Sequence, residues 1–81
     1  MPTVFLHGPY RVYFVSHDLR EPLHVHVDRD ECSAKFWLQP VALTRNLGYT
    51  PKELREIERI LVERKHECIE AWNEHIRRQT G

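Results

Sequence analysis

The chain has no net charge, only two cysteines and no long apolar run among its 81 residues. Lysine and arginine number 12 together, as do aspartate and glutamate, so the usual electrostatic attraction to nucleic acid or to a membrane surface is missing. The apolar runs are too short for a transmembrane helix. Residues 1–3 lead into the apolar run 4–6 without a charged leader, so we expect a cytoplasmic protein.

The length of the chain and its cysteines indicate a small single domain with free thiols. Residues 1–81 are enough for one domain that buries about 60–65% of its unfolded surface, so contact with a second chain would add stability. Cys32 and Cys68 lie far apart, and no signal peptide suggests an oxidising compartment. We therefore expect both to be small buried hydrophobic side chains.

Strict alternation of apolar and polar side chains predicts a half-buried strand over residues 23–28. The apolar positions are Leu23, Val25 and Val27. The polar positions carry three groups able to bind a metal, transfer a proton or contact a phosphate: His24, His26 and Asp28. Because successive side chains of a strand point to opposite faces, the two histidines should project together from the face that the valines do not use.

The remaining strand predictions are residues 3–6, 10–16 and 32–38, with residues 41–44 as an optional fifth strand. Residues 28–31 form a charged hairpin turn and residues 45–48 a further turn. Pairing 32–38 with 23–28 across the charged turn places Lys35 and Trp37 on the face that carries the histidines. The apolar positions of the two strands then merge into one surface that needs a cover.

That cover is predicted to be one long helix over residues 51–76. Thr50 suits the N-cap, Pro51 the first helical position, and Glu53 completes a capping box. The apolar stripe consists of Leu54, Ile57, Ile60, Leu61, Cys68, Ile69, Trp72 and Ile76. At roughly 40 Å the helix is longer than short strands can cover, so we expect its second half, with Trp72, to contact something else. The predicted fold class is α+β, an antiparallel sheet of three to five strands packed on one helix.

Polar side chains on the sheet and in the loop before residue 23 are the candidates for chemistry. The predicted exposed face carries Tyr13, His24, His26, Asp28, Lys35 and Trp37. The loop adds His17, Asp18 and Arg20. From the residues alone, three interpretations stay open: a metal site, metal-free cleavage of a phosphodiester, and a polar surface that meets water or another protein.

A metal site would use the His-x-His pair. The alpha carbons of His24 and His26 lie roughly 7 Å apart on a strand, workable for zinc or another divalent ion if His17 or Asp18 completes the ligand set. Neither C-x-x-C nor H-E-x-x-H accompanies the pair. Our first expectation is therefore no metal and no cofactor, with the zinc-type site as the alternative.

Metal-free phosphodiester cleavage would use the same pair differently. Histidine exchanges a proton near neutral pH, so His24 and His26 could act as general acid and base, with His17 a further candidate. Lys35 or Arg20 would neutralise the charge that develops on the phosphate. The other binding candidates are Asp18, Asp28, Trp37 and Tyr13. The two aromatic rings among them could stack a base.

An ordered series of motifs spans nearly the whole chain. They are His17-Asp18, Pro22-Leu23-His24-Val25-His26-Val27, residues 31–43 (E-x-x-A-K-F-W-L-x-P-V-x-L), residues 48–54 (G-Y-T-x-x-E-L) and residues 70–74 (E-A-W-N-E). The series resembles a small bacterial family catalogued as domain-of-unknown-function family 4160. That family typically shows an acidic residue followed by histidine, then Pro-Pro-His-Val-His-Val. Here the first pair is reversed and Leu23 replaces the second proline.

The resemblance implies a toxin-like component of a bacterial toxin–antitoxin gene pair. Its partner would be a small antitoxin-like protein encoded nearby, and RNA would be the candidate target, because many small bacterial toxins are ribonucleases. If the protein is an enzyme, we expect a metal-independent ribonuclease acting through the histidine face. The alternative is a non-catalytic protein-interaction module or a metal-binding regulatory domain. We expect no membrane contact, and a homodimer when the partner is absent.

Overall fold

The computed structural model describes residues 3–15 and 21–80, which form a five-stranded antiparallel sheet and two helices. The elements are β1 (Thr3–His7), β2 (Tyr10–Tyr13), β3 (His24–Arg29), β4 (Cys32–Leu38), β5 (Val41–Leu47), α1 (Pro51–Glu63) and α2 (Lys65–Thr80). The strands are hydrogen-bonded in chain order, and the helices follow them, so the predicted α+β class is confirmed. No helix in the described part of the chain is long and apolar enough to cross a membrane.

Cross-strand pairing gathers the apolar positions of the sheet on one face. Val27 pairs with Val12 on one side and with Ala34 on the other, and Val25 pairs with Phe36. These side chains are buried against the apolar stripe of α1. The α1 side chains in this core are Ile57, Ile60 and Leu61. The polar positions of β3 and β4 therefore lie on the opposite face, as the alternation predicted.

The start of α1 is fixed both by its cap and by contacts to the sheet. The Thr50 hydroxyl accepts a hydrogen bond from the Glu53 backbone N–H at 3.2 Å, and Glu53 Oε1 accepts one from the Thr50 backbone N–H at 3.1 Å. Glu53 also pairs with Arg29 at the end of β3. Just before the helix, the buried Tyr49 hydroxyl donates to the Val27 carbonyl oxygen at 3.0 Å. The predicted capping box is thus present, and it anchors α1 to the β3–β4 hairpin.

The single helix predicted over residues 51–76 is instead divided at Arg64, and the second part extends to Thr80. Arg64 has φ −111° and ψ 21°, outside the helical range. Its guanidinium bonds the Glu67 carboxylate at 2.8 and 2.9 Å and lies 3.8 Å from the centre of the Phe5 ring. These contacts hold the break at a point where the sequence has no proline or glycine.

The break changes what the second half of the helix contacts. α2 packs back on the same chain, and Cys68 and Trp72 are buried there. The Trp72 ring lies 5.4 Å from the Phe14 ring and 5.2 Å from the His24 ring. The expectation that Trp72 contacts something outside the domain is therefore wrong. Burial also raises the pKa of the Cys68 thiol to about 11, which keeps it protonated, and both cysteines are free, with Cys32 only half-buried.

Two strand ends differ from the prediction. β2 ends at Tyr13 rather than at residue 16. β5 runs to Leu47, through the region predicted as a turn over 45–48. Both differences affect the polar face, because they decide which side chains lie beside the histidines.

We expect Thr50→Ala to lower the free energy of unfolding by about 1 kcal/mol, because it removes the acceptor for one otherwise unpaired helix N–H. Urea unfolding followed by circular dichroism measures the change. Thr50→Ser keeps a hydroxyl at the same position and serves as the control, with stability close to that of the parent. Equal unfolding midpoints for Thr50→Ala and Thr50→Ser would show that the cap contributes nothing.

Candidate functional site

The antiparallel registers align four functional side chains in one row across the polar face. Tyr13 pairs with His26, His26 with Lys35, and Lys35 with Arg45. Neighbouring strands are about 4.8 Å apart, so these four positions, the polar row, span about 14 Å from β2 to β5. The row brings together a phenol, an imidazole, an ammonium and a guanidinium. Three of its members, Tyr13, His26 and Lys35, were predicted to share this face.

Arg45 enters the row because of a β-bulge. Phe36 pairs with Leu43 and Lys35 pairs with Arg45, so Thr44 is an extra residue in β5. One extra residue reverses the side-chain parity of the strand beyond it. Arg45 and Leu47 therefore lie on the polar face, and Asn46 lies on the other. There its amide donates to the Tyr49 carbonyl and accepts from the Tyr49 N–H, both at 3.0 Å.

Sequence reasoning missed Arg45. Unbroken alternation from Val41 would put Arg45 on the same face as Val41 and Leu43, toward the helices. Residues 41–47 include neither glycine nor proline, so the sequence gives no local signal of the bulge. The exchange of bonds between Asn46 and Tyr49 marks the reversed parity, and it is visible only in the folded chain.

The polar row forms the floor of an open cleft of about 450 Å³. Val15, Glu21, Ser33 and Leu47 contribute to its walls. The cleft therefore presents polar and cationic groups at its base and a carboxylate at its rim. Its size suits a small anionic group or a short stretch of a polymer rather than a large cofactor.

The two cations of the row differ in their partners. Lys35 Nζ lies 2.7 Å from Glu21 Oε1 and 4.9 Å from the centre of the Trp37 ring. Arg45 is exposed, and within residues 3–15 and 21–80 no carboxylate lies at ion-pair distance from it. An anion entering the cleft would meet Arg45 directly and would compete with Glu21 for Lys35.

Asp28 is held by two hydroxyl groups. Its carboxylate accepts hydrogen bonds from the Tyr13 hydroxyl at 2.9 Å and from the Ser33 hydroxyl at 2.7 Å. The Tyr13 ring stacks on His26, with centroids 5.3 Å apart and planes 23° from parallel. Burial and then Asp28 raise the pKa of Tyr13, so the phenol stays protonated. Asp28 therefore orients Tyr13, and Tyr13 orients His26.

His24 shares the parity of His26, but the prediction that it is exposed is wrong. Its side chain is fully buried, and its Nδ1 donates a hydrogen bond to the Pro22 carbonyl oxygen at 2.8 Å. Three aromatic rings surround it: Trp72 at 5.2 Å, His26 at 5.3 Å and Trp37 at 5.8 Å. β2 stops short of the position opposite His24, and Trp72 from α2 packs there instead. His24 can support the cleft but cannot reach a ligand in it.

The other predicted site residues fall into two groups. Trp37 is half-buried on the predicted face, two residues beyond Lys35. His17, Asp18 and Arg20 lie outside the described residues. No group of three or more histidine, cysteine, aspartate or glutamate side chains among the residues that the structure describes could hold a metal ion. The zinc alternative built on His24, His26 and His17 thus depends on a residue outside that set.

We expect Asp28→Asn to lower the pKa of Tyr13 toward its ordinary value of 10.0, because it removes a negative charge that opposes the phenolate. Arg11→Ala should act in the opposite direction, since the Arg11 guanidinium lies 4.6 Å from the centre of the Tyr13 ring and lowers its pKa. Phenolate absorbance against pH, with Tyr13→Phe as the reference that identifies this tyrosine, measures both changes. Shifts of the same sign in the two variants would contradict this assignment.

Comparison with known proteins gives one result. A family model described as "Domain of unknown function (DUF4160)" matches residues 10–73, which include the whole polar row. No curated protein and no solved structure gave a significant match. The matched range covers most of the chain and contains the motifs that carried the resemblance noted in the sequence, except for the last residue, Glu74. The chain belongs to the DUF4160 family.

Proposed function

We propose that the protein is the toxin-like component of a bacterial toxin–antitoxin module and that it cleaves RNA in the cytoplasm without a metal ion. The observation that supports this most directly is the polar row, in which a histidine lies between a tyrosine and two cations. An acid/base group beside two cationic phosphate ligands is the minimum that this reaction needs. The family resemblance supplies the toxin-like context.

In the proposed reaction, neutral His26 accepts the proton of a ribose 2′-hydroxyl. The 2′-oxygen attacks the adjacent phosphorus, and the bond from phosphorus to the 5′-oxygen breaks. The Lys35 ammonium donates a proton to the leaving 5′-oxygen, and Arg45 stabilises the charge on the non-bridging oxygens. The products are a 2′,3′-cyclic phosphate and a 5′-hydroxyl, and no metal or second substrate is required.

This mechanism does not use His24 and His26 as an acid/base pair. His24 is buried, so it acts as a positioning residue whose ring contacts the His26 ring edge-on from the next position on the same face of β3. The phosphate must also displace the Glu21 carboxylate from Lys35. The Glu21 side chain is 41% exposed and that of Lys35 is 17% exposed, so solvent reaches the carboxylate and a phosphate can compete with it for Lys35.

The neutral chain restricts the kind of RNA binding that the proposal allows. With two cations on the phosphate rather than a broad basic surface, affinity should be modest and should depend only weakly on salt. Recognition of a single phosphodiester, with neighbouring contacts to base or sugar, fits this better than binding along a duplex.

We expect His26→Ala to slow cleavage of a single-stranded RNA by about 100-fold or more, because it removes the general base. The cleavage rate is measured with purified protein and a labelled oligonucleotide, in a buffer that contains a metal chelator. His66→Ala is the matched control, since His66 is exposed on α2, far along the chain from the row, and it should cleave at the parental rate.

Two outcomes would contradict the proposal. Full activity in a folded His26→Ala variant would remove His26 from the mechanism. Loss of activity in the parent on adding the chelator would replace the metal-independent reaction with a metal-dependent one. Growth arrest on expression, with and without the neighbouring gene product, tests the toxin-like role separately.

The outer edge of β5 supports a second function, the binding of an antitoxin-like partner. In the described part of the chain β5 pairs only with β4, and Leu43 and Leu47 are 44% and 53% exposed. An open edge strand with exposed leucines is a template for an added strand from another protein. Arg45 shares the polar face with Leu47, whereas Leu43 lies on the opposite face, so an acidic side chain beside Leu47 on the added strand would pair with Arg45 and cover the cleft.

We expect Leu47→Glu to weaken binding of the neighbouring gene product by about tenfold or more, because it places a like charge beside the acidic strand and removes apolar contact. Calorimetry on the two purified proteins measures the affinity. Leu6→Glu is the matched control on the opposite edge strand, where Leu6 is 70% exposed. Weakening by Leu6→Glu alone would place the partner on β1 instead. Sedimentation of the isolated protein tests the expected homodimer.

A further inference from the structure

A second pocket, of about 290 Å³, lies beside the polar row at the end of the sheet where β3 begins and β4 turns into β5. It is lined by Pro22, Leu23, Trp37, Gln39, Pro40 and Ala42. None of these side chains is charged. Two proline rings, an indole and two aliphatic groups form its walls. The Gln39 side chain is exposed, and its amide can both accept and donate hydrogen bonds.

The pocket and the polar row meet where Trp37 contacts Lys35. Trp37 follows Lys35 by two residues on β4, so the two side chains lie on the same face about 7 Å apart along the strand. Lys35 Nζ lies 4.9 Å from the centre of the Trp37 ring. A ligand whose anionic group contacts Lys35 can therefore place its next group over Trp37, in the pocket.

The chemistry of the pocket indicates what that next group is. Flat apolar walls with no charge favour a neutral planar ring, and an aromatic side chain stacks such a ring well. An amide at the rim can both donate to and accept from the polar edge of the ring. A nucleobase has these properties, and its distance from its own phosphate is comparable with the separation of Trp37 and Lys35.

We propose that this pocket is a nucleobase subsite, which holds one unstacked base of single-stranded RNA while its phosphate lies on Lys35 and Arg45. The inference rests on the proposed action on RNA, and it adds that the substrate is single-stranded RNA. A base that enters the pocket must leave its stack, so double-stranded RNA is excluded. Gln39 is then a specificity-determining residue, because its amide contacts the edge of the base.

The test measures binding rather than cleavage. A short 2′-O-methyl oligonucleotide cannot be cleaved, since its 2′-oxygen carries no proton, and it is compared with the same strand made abasic at each position in turn. We expect one abasic position to weaken binding to the parent protein by about tenfold or more. The Trp37→Ala substitution should weaken binding of the complete strand by a similar factor. The variant and the parent should bind the abasic strand with equal affinity.

Trp37 also contacts His24, so Trp37→Ala requires a companion variant that leaves the sheet intact. Gln39→Ala serves this purpose, because Gln39 is exposed at the turn, and it should change the preference among the four bases at the sensitive position. Asn73→Ala removes an exposed amide from α2 and is the matched control, with parental affinity and preference.

The outcomes separate this inference from the proposed function. In one outcome the parent protein binds the complete strand better than the abasic one, this difference is lost in Trp37→Ala, and yet the parent cleaves no RNA. This result would support the subsite and overturn the proposed ribonuclease activity. Cleavage with equal affinity for complete and abasic strands would keep the ribonuclease and overturn the subsite. Equal affinity for single-stranded and duplex forms would also overturn the subsite.

Discussion

The candidate site depends on the register between β3 and its neighbours. Val25 and Val27 are fully buried, and each such side chain contributes about 1.5–3 kcal/mol by leaving water. A slip of one residue would expose both valines and turn His26 and Asp28 into the apolar core. The energy that holds the sheet on α1 therefore also holds the polar row in place. The core therefore fixes the geometry of the site, and its Ala34 also contributes to the lining of the cleft.

The parts of the fold that follow from local patterns could be predicted from the sequence. Alternation over 23–28 and the Thr50–Glu53 cap are such patterns, and both are present. The departures accompany contacts that the apolar pattern does not predict. The reversed parity beyond Thr44 goes with the two hydrogen bonds between Asn46 and Tyr49. The break at Arg64 goes with contact to Phe5, which is far away in the sequence. Neither position carries the glycine or proline that would mark it in advance.

The two histidines show why spacing alone does not assign chemistry. His24 and His26 share a parity and a face, yet the first is buried under Trp72 and the second lines the cleft. The difference arises because β2 stops at Tyr13, so a helix side chain rather than a strand covers His24. A His-x-His motif on this fold therefore combines one supporting ring with one accessible ring. Such a pair is poorly suited to two equal roles, whether as acid and base or as joint metal ligands.

The charges around the cleft connect the two proposed activities. Lys35 is already paired with Glu21, whereas Arg45 is exposed on the edge strand β5, where an anion can reach it. An RNA phosphate and an acidic strand added to β5 would both use Arg45, so their binding free energies are coupled and each must weaken the other by the same factor. If both proposals hold, inhibition by a partner needs no change in the shape of the protein. In a chain of zero net charge, one exposed guanidinium, placed by one extra residue, would be sufficient to make the two proposed ligands compete.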